Sequence, residues 1–195
     1  MISNIDLIIE RTNKLKKAGV CFGITSKCGD DKHIIFCDFD NINISEVFET
    51  LKNMQFHYEL STFYIVKSTN GYNAFCLSKM DLKDITSMLK EYHSIDPLFI
   101  KLSSEKRKLF VLRMDKDKHF CAKLPSYDTT KQLSNAHYRF FTEIMDFPLE
   151  PINKRLSDNL KFFRIIAYKS TKHGWCKSIK FNNLKEFKSE YGYGR

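Results

Sequence analysis

"IIFCDFDN", residues 34–41, is an apolar run that ends in two carboxylates one residue apart. In a strand, alternate side chains share a face. Ile35, Cys37 and Phe39 then point one way, and Ile34, Phe36, Asp38 and Asp40 the other. The two aspartate Cα atoms stand roughly 7 Å apart, two steps of about 3.3 Å. Like charges held at the end of an apolar strand repel, and their pKa values rise unless something positive sits between them. Mg2+ or Mn2+ answers that need, because hard cations take oxygen ligands and keep several waters.

Outward from this stretch, the pattern alternates helices with strand pairs. Residues 4–17 place Ile5, Ile8, Ile9, Thr12 and Leu15 at helical spacing, with Gly19 as a stop. "VCFGIT" and "HIIFCDFD" read as a hairpin around "SKCGDDK". "NISEVFETLKNM" predicts a helix capped by Asn43, with Ile44, Val47, Phe48 and Leu51 on one face. "LSTFYIVKS" and "YNAFCLS" flank the turn Thr69-Asn70-Gly71. "DLKDITSMLKEYH" returns to helical period through Ile85, Met88, Leu89 and Tyr92. "PLFIKL" and "KLFVLRM" read as a third hairpin, a helix covers about 132–146, and "FFRIIAY" and "WCKSIKF" read as strands in the tail. Hairpins separated by helices predict an α+β fold, a mainly antiparallel or mixed sheet with packed helices, in a single domain over 1–195.

Composition agrees with a packed globule: 43% hydrophobic residues, 14% aromatic, and only 7 Gly and 4 Pro. No stretch approaches the ~20 apolar residues that span a bilayer, and the first residues mix acids and bases, unlike a signal peptide. The expectation is a chain without membrane contact, in the cytoplasm. The cysteines at 21, 28, 37, 76, 121 and 176 lie singly, with no CxxC pair, and read as reduced thiols. No histidine pair has metal-ligand spacing. The net charge of +9 is concentrated in residues 161–195, which hold nine Lys or Arg against two Glu. There Lys169, Lys172, Lys177 and Lys180 interleave with aromatics such as Trp175, a composition suited to nucleic acid and equally to a solvated lysine-rich surface.

The order of the next features gives the DxD strand its context. Asn73 follows Asp40 by 33 residues in a strand–turn–strand, Asp96 follows by 23 more in "SIDPLFIKL", and Arg113 by 17 more in "KLFVLRMDKDK". A DxD strand, a Ser/Gly hairpin, Asp-Pro, then a strand ending in "LR" with lysines after it resembles the catalytic core of the archaeo-eukaryotic primase superfamily, the primase-polymerases. The match covers about residues 19–120, with the basic aromatic part, about 151–195, beyond it. The resemblance implies an RRM-like core and a DNA primase/polymerase that adds nucleotides by two-metal chemistry with Mg2+ or Mn2+. It implies Asp38, Asp40 and Asp96 as catalytic and metal-binding carboxylates. Ser68, Gly71, Asn73, Arg113, Lys116 and Lys118 would bind the nucleotide. Asn73 stands where the family's histidine contacts phosphates, and an amide can donate a hydrogen bond there but carries no charge. The implied partners are nucleoside triphosphates, a DNA or RNA template, and a helicase or other replication protein. Such small proteins often belong to viruses or mobile elements, which would place this one inside a host cell.

Other readings stay open on these residues. Asp96-Pro97 and Asn70-Gly71 are turn formers in their own right, and Arg113 alternates with Leu112 and Met114 as ordinary sheet decoration does. "FCDFDN" also resembles the nucleophile motif of haloacid dehalogenase-type phosphatases, with "IVKST" as their Ser/Thr strand. The Thr usual after the second Asp is missing, and the late acidic pair could only be Asp115 and Asp117. A third reading is a primase-like nucleic-acid-binding protein with weakened catalysis.

Overall fold

A computed structural model describes residues 21–28, 30–114, 118–126, 131–151, 156–157, 165–170 and 176–180, with the backbone alone at 21, 22 and beyond 151. In chain order these form β1 (Cys21–Thr25), β2 (His33–Asp40), α1 (Ile44–Tyr58), β3 (Phe63–Lys67), β4 (Gly71–Met80), α2 (Leu82–Lys90), α3 (Pro97–Lys101), β5 (Val111–Met114), β6 (His119–Leu124), β7 (Leu133–Ser134), α4 (Asn135–Arg139), β8 (Leu156–Ser157), β9 (Ile165–Ser170) and β10 (Cys176–Lys180). Helices α3 and α4 each continue as a π-helical turn, over 102–107 and 140–144. The fold is α+β with mainly antiparallel sheets.

The strands make two sheets. One has four strands in the order β10-β9-β1-β5. In the other, β4 lies between β2 and β3, β6 pairs the far side of β3, and the short β7 and β8 extend from β4. The β7–β8 pair is parallel and every other pairing is antiparallel.

The apolar run of β2 is continuous because both its faces are covered: Ile34 through Cys37 and Phe39 are fully buried. On the Ile34/Phe36 face, Phe75 of β4 pairs with Phe36 in register and stacks on Phe141 at a ring-centroid distance of 3.7 Å. Phe141 in turn meets Phe140 and Phe147, which ties the turn after α4 to this face. Each such ring removes enough apolar area from water to contribute about 1.5–3 kcal/mol. Helix α1 starts where Asn43 Oδ1 accepts the Glu46 N–H at 2.9 Å, and it buries Val47, Leu51 and Met54. Helix α2 buries the predicted Ile85, Met88 and Leu89.

Three expectations are corrected. The "VCFGIT"/"HIIFCDFD" hairpin does not form. After one bridge, Lys27 to His33, the arms part, and β1 enters the other sheet between β5 and β9. Ser26 decides this, since its N–H bonds to the Phe110 carbonyl at 2.9 Å and so carries the chain toward β5. "PLFIKL" is a helix, not a strand. Asp96 accepts N–H bonds from Leu98 and Phe99, both at 2.9 Å, with Pro97 in the first turn. The dipeptide is a cap followed by a helix-compatible Pro. Strand β6 went unpredicted, although Phe120, Ala122 and Leu124 alternate with more exposed residues along it. The helix at 132–146 begins only at Asn135, after β7, while β9 and β10 pair as the tail pattern suggested. The opening helix at 4–17 lies outside the described residues.

A buried polar seam joins the two sheets. Ser26 Oγ bonds His33 Nδ1 at 2.8 Å and accepts the Phe110 N–H at 3.1 Å. His137 donates from Nε2 to the Thr25 carbonyl at 2.8 Å, leaving Nδ1 to accept from Ser134 Oγ at 2.7 Å. Burial pushes both histidines down, each to about 4 from 6.5. The unfolded chain therefore binds more protons between these values, so the stability of the seam is complete above about pH 6.5 and is lost as pH falls toward 4.

Two outcomes are expected. Urea midpoints measured from about pH 7 down to pH 4 should fall steeply, and His33→Asn should flatten that fall by removing one titrating group. Gly71 has no room for a side chain, because a Cβ there would lie 2.0 Å from the Phe39 carbonyl oxygen. Gly71→Ala should therefore destabilise the protein by roughly 2–3 kcal/mol in the same measurement.

Candidate functional site

The site is built at the end of β2, where its apolar run gives way to charge. Register sets Asp38 opposite Asn73, Phe39 opposite Tyr72 and Asp40 opposite Gly71. The close approach at Gly71 lets β4 run flush against β2 to its last residue. The turn before β4 is fixed by the Ser68 N–H bonded to the Gly71 carbonyl at 3.0 Å, and by the Asn41 N–H bonded to the Asn70 carbonyl at 3.1 Å. Ser68 and Gly71 thus shape the hairpin that frames the acidic strand end.

Asp96 arrives from a distant part of the sequence. Its backbone N–H bonds to the Asp38 carbonyl at 2.9 Å, which pins the start of α3 to β2. Its carboxylate caps α3 through both oxygens. Asp38 is partly buried, Asp40 exposed and Asp96 partly buried. Asn73, only 4% exposed, donates from Nδ2 to Asp38 Oδ1 at 2.6 Å.

Electrostatics show what these neighbours do to Asp38. Burial pushes its carboxyl above the usual range, Lys118 pulls it down, Asp40 and Asp96 push it up again, and the Asn73 hydrogen bond lowers it. Asp40, two residues along the same strand, and Asp96, distant in sequence, therefore both act on Asp38, with Lys118 as the opposing cation. Burial and repulsion prevail over Lys118 and Asn73, so the net shift is upward, and a cation at this strand end would oppose it.

The donor set suits a divalent ion held in part by substrate. Among the described residues no three His, Cys, Asp or Glu side chains are grouped as a metal cage. Magnesium usually binds through one or two carboxylates, with waters and substrate phosphates completing its shell. Asp38 and Asp40 fit that description. Asp96 contributes charge, and its oxygens are already engaged by the α3 N–H groups.

The remaining predicted residues are more scattered. Arg113 is exposed on β5 of the other sheet, opposite Gly23 and between the buried Leu112 and Met114. Lys169 and Lys177 are register partners across β9 and β10, and Lys180 pairs with Ile166, which itself pairs with Gly23. Arg113 and Lys180 thus end one row across the four-stranded sheet. Lys116, Lys172 and Trp175 lie outside the described residues, as do Asp115 and Asp117. Two features escaped the sequence reading. The Asn73–Asp38 bond depends on strand register, and the capping role of Asp96 had a local signal in Asp-Pro that was read as a turn.

Comparison with protein-family models, with curated proteins and with solved structures finds no match. Among the described residues no helix is long and apolar enough to cross a membrane. Cys28, Cys37 and Cys76 are buried free thiols and Cys121 an exposed one.

Because folding favours the protonated form of Asp38, its contribution to stability is present at low pH and lost as pH rises through its folded pKa. Asp38→Asn, measured in a chelator, should raise the melting temperature near pH 8. The gain should shrink toward pH 4, where the wild-type carboxyl takes up a proton. Thermal melts at the two pH values check both the sign and the trend.

Proposed function

We propose that the chain is a metal-dependent nucleotidyltransferase of the primase-polymerase kind, which adds nucleotides to a nucleic-acid chain on a DNA or RNA template. The observation that carries this reading is the meeting of Asp96 with Asp38 and Asp40, joined by the Asp96 N–H to the Asp38 carbonyl at 2.9 Å. Residues this far apart in sequence have no local reason to be neighbours. The electrostatic strain on Asp38 supports a cation-binding role.

In this reading Asp38 and Asp40 hold Mg2+ or Mn2+, which when bound would make a 3′ hydroxyl more acidic and offset charge on the leaving pyrophosphate. Asp96 fixes the geometry of the strand end and adds negative charge. Lys118 offsets the carboxylates and grips the triphosphate, with Lys116 assigned the same task. Ser68 and Gly71 form the hairpin edge over which the nucleotide lies. Arg113 and the lysines at 169, 172, 177 and 180, with Trp175, hold nucleic acid through phosphate contacts and stacking. A helicase or other replication protein fits as a partner of such an enzyme.

A second reading, a primase-like protein that binds nucleic acid with little turnover, is favoured by one observation. Asn73 is buried and committed to Asp38, at the position where the family's histidine would meet phosphates. The phosphatase reading has less support, because β2 sits in an antiparallel sheet.

Primed and unprimed templates, labelled nucleotides and Mg2+ or Mn2+ test the proposal. Wild type should incorporate nucleotide, and Asp38→Ala and Asp40→Ala should lose incorporation while keeping their circular dichroism. Full activity in both variants would refute the site. Template binding without incorporation would establish the second reading, and phosphate release from a generic phosphatase substrate the phosphatase reading.

A further inference from the structure

Asn73 lies in the middle of the sheet, between Asp38 of β2 on one side and Val66 of β3 on the other. A polar side chain there, 4% exposed, needs a partner, and it finds one in Asp38 Oδ1 at 2.6 Å. A carboxylate at a strand end can turn about its side-chain torsions, and a ligand that turns binds a cation less well than one that is held. A hydrogen bond from a buried, cross-strand donor removes that freedom on one oxygen and leaves the other to present itself.

The chemistry of the donor matters as much as its position. A protonated imidazole or an ammonium group at residue 73 would orient Asp38 and also neutralise it, competing with any incoming cation. A neutral amide orients the carboxylate and leaves its full charge in place. Nucleotide contact fits the geometry less well, since Asn73 is only 4% exposed and its amide is bonded to Asp38.

We infer that Asn73 is a positioning residue for a divalent-cation ligand. It holds Asp38 by Oδ1 so that the carboxylate meets Mg2+ or Mn2+ in one orientation, and it does not touch the nucleotide. This rests on the metal-binding reading of Asp38 proposed above. Partners that orient metal ligands typically change metal affinity by about 10- to 100-fold when removed.

The test is calorimetric titration of the full chain with MnCl2 alone, without nucleotide, on wild type, Asp38→Ala, Asn73→Leu and Asn73→Ser. Asn73→Leu keeps the volume and removes the donor, and Asn73→Ser replaces it should the leucine variant fail to fold by circular dichroism. Wild type should bind Mn2+, Asp38→Ala should abolish binding, and the position-73 variant should weaken it by about tenfold or more. At saturating Mn2+ the KM for nucleotide should be unchanged. Unaltered Mn2+ affinity in a folded position-73 variant would overturn the positioning role while leaving Asp38 as a ligand. A raised nucleotide KM at unaltered Mn2+ affinity would overturn it too, making Asn73 a nucleotide contact. Absence of Mn2+ binding by wild type, or binding that survives Asp38→Ala, would remove the metal-binding reading itself.

Discussion

The antiparallel register of β2 and β4 is the constraint on which the acidic site depends. It closes at Gly71, where the backbones come so near that a Cβ would strike the Phe39 carbonyl. With that contact in place, Asp38 faces Asn73 and Asp40 stands at the rim. A slip of one residue would turn Asp38 and Asp40 to the opposite face and bring Phe39 to theirs. The aromatic packing behind the site resists such a slip, because Phe75, fixed against Phe141 and Tyr64, sits two residues from Asn73 on the same face.

Against this rigid backing, the charges are poorly accommodated. Asp38 is partly buried beside two other carboxylates, and the nearby Lys118 does not bring its pKa back to the usual range. A sequence selected for stability alone would place an amide or an apolar residue there. Such unfavourable electrostatics at one strand end, in a molecule otherwise packed with buried Phe, Ile and Leu, set Asp38 apart from its surroundings. Asp96 joins the two demands, since its carboxylate starts α3 while its backbone holds that start against β2.

The second sheet is attached by a different kind of interaction. Ser26, His33, Ser134 and His137 link β1, β2, β5 and α4 through hydrogen bonds, and burial favours the neutral form of both imidazoles. Arg113 is carried on this sheet, so its place relative to the acidic strand end is set by the seam and not by the DxD strand. The basic β9 and β10 extend the same sheet away from β5. Arg113 and Lys118, which the resemblance assigns together to the nucleotide, are thus divided, Lys118 beside Asp38 and Arg113 at the end of a row across a separate sheet.

Local pattern sufficed for much of this molecule. The α+β class, α1 with its Asn43 cap, the apolar face of α2, the β3–β4 hairpin and the shared face of Asp38 and Asp40 all follow from periodicity, turn chemistry and capping, which act within a few residues. Tertiary structure decided the rest, because pairing between distant strands is a competition that no short window contains. Ser26 bonding to Phe110 sends β1 to another sheet, Asp96-Pro97 becomes a helix cap docked on β2, and β6 finds the edge of β3. The partnership of Asn73 with Asp38 belongs to the same class. It exists because two strands 35 residues apart in sequence align at one rung of the ladder.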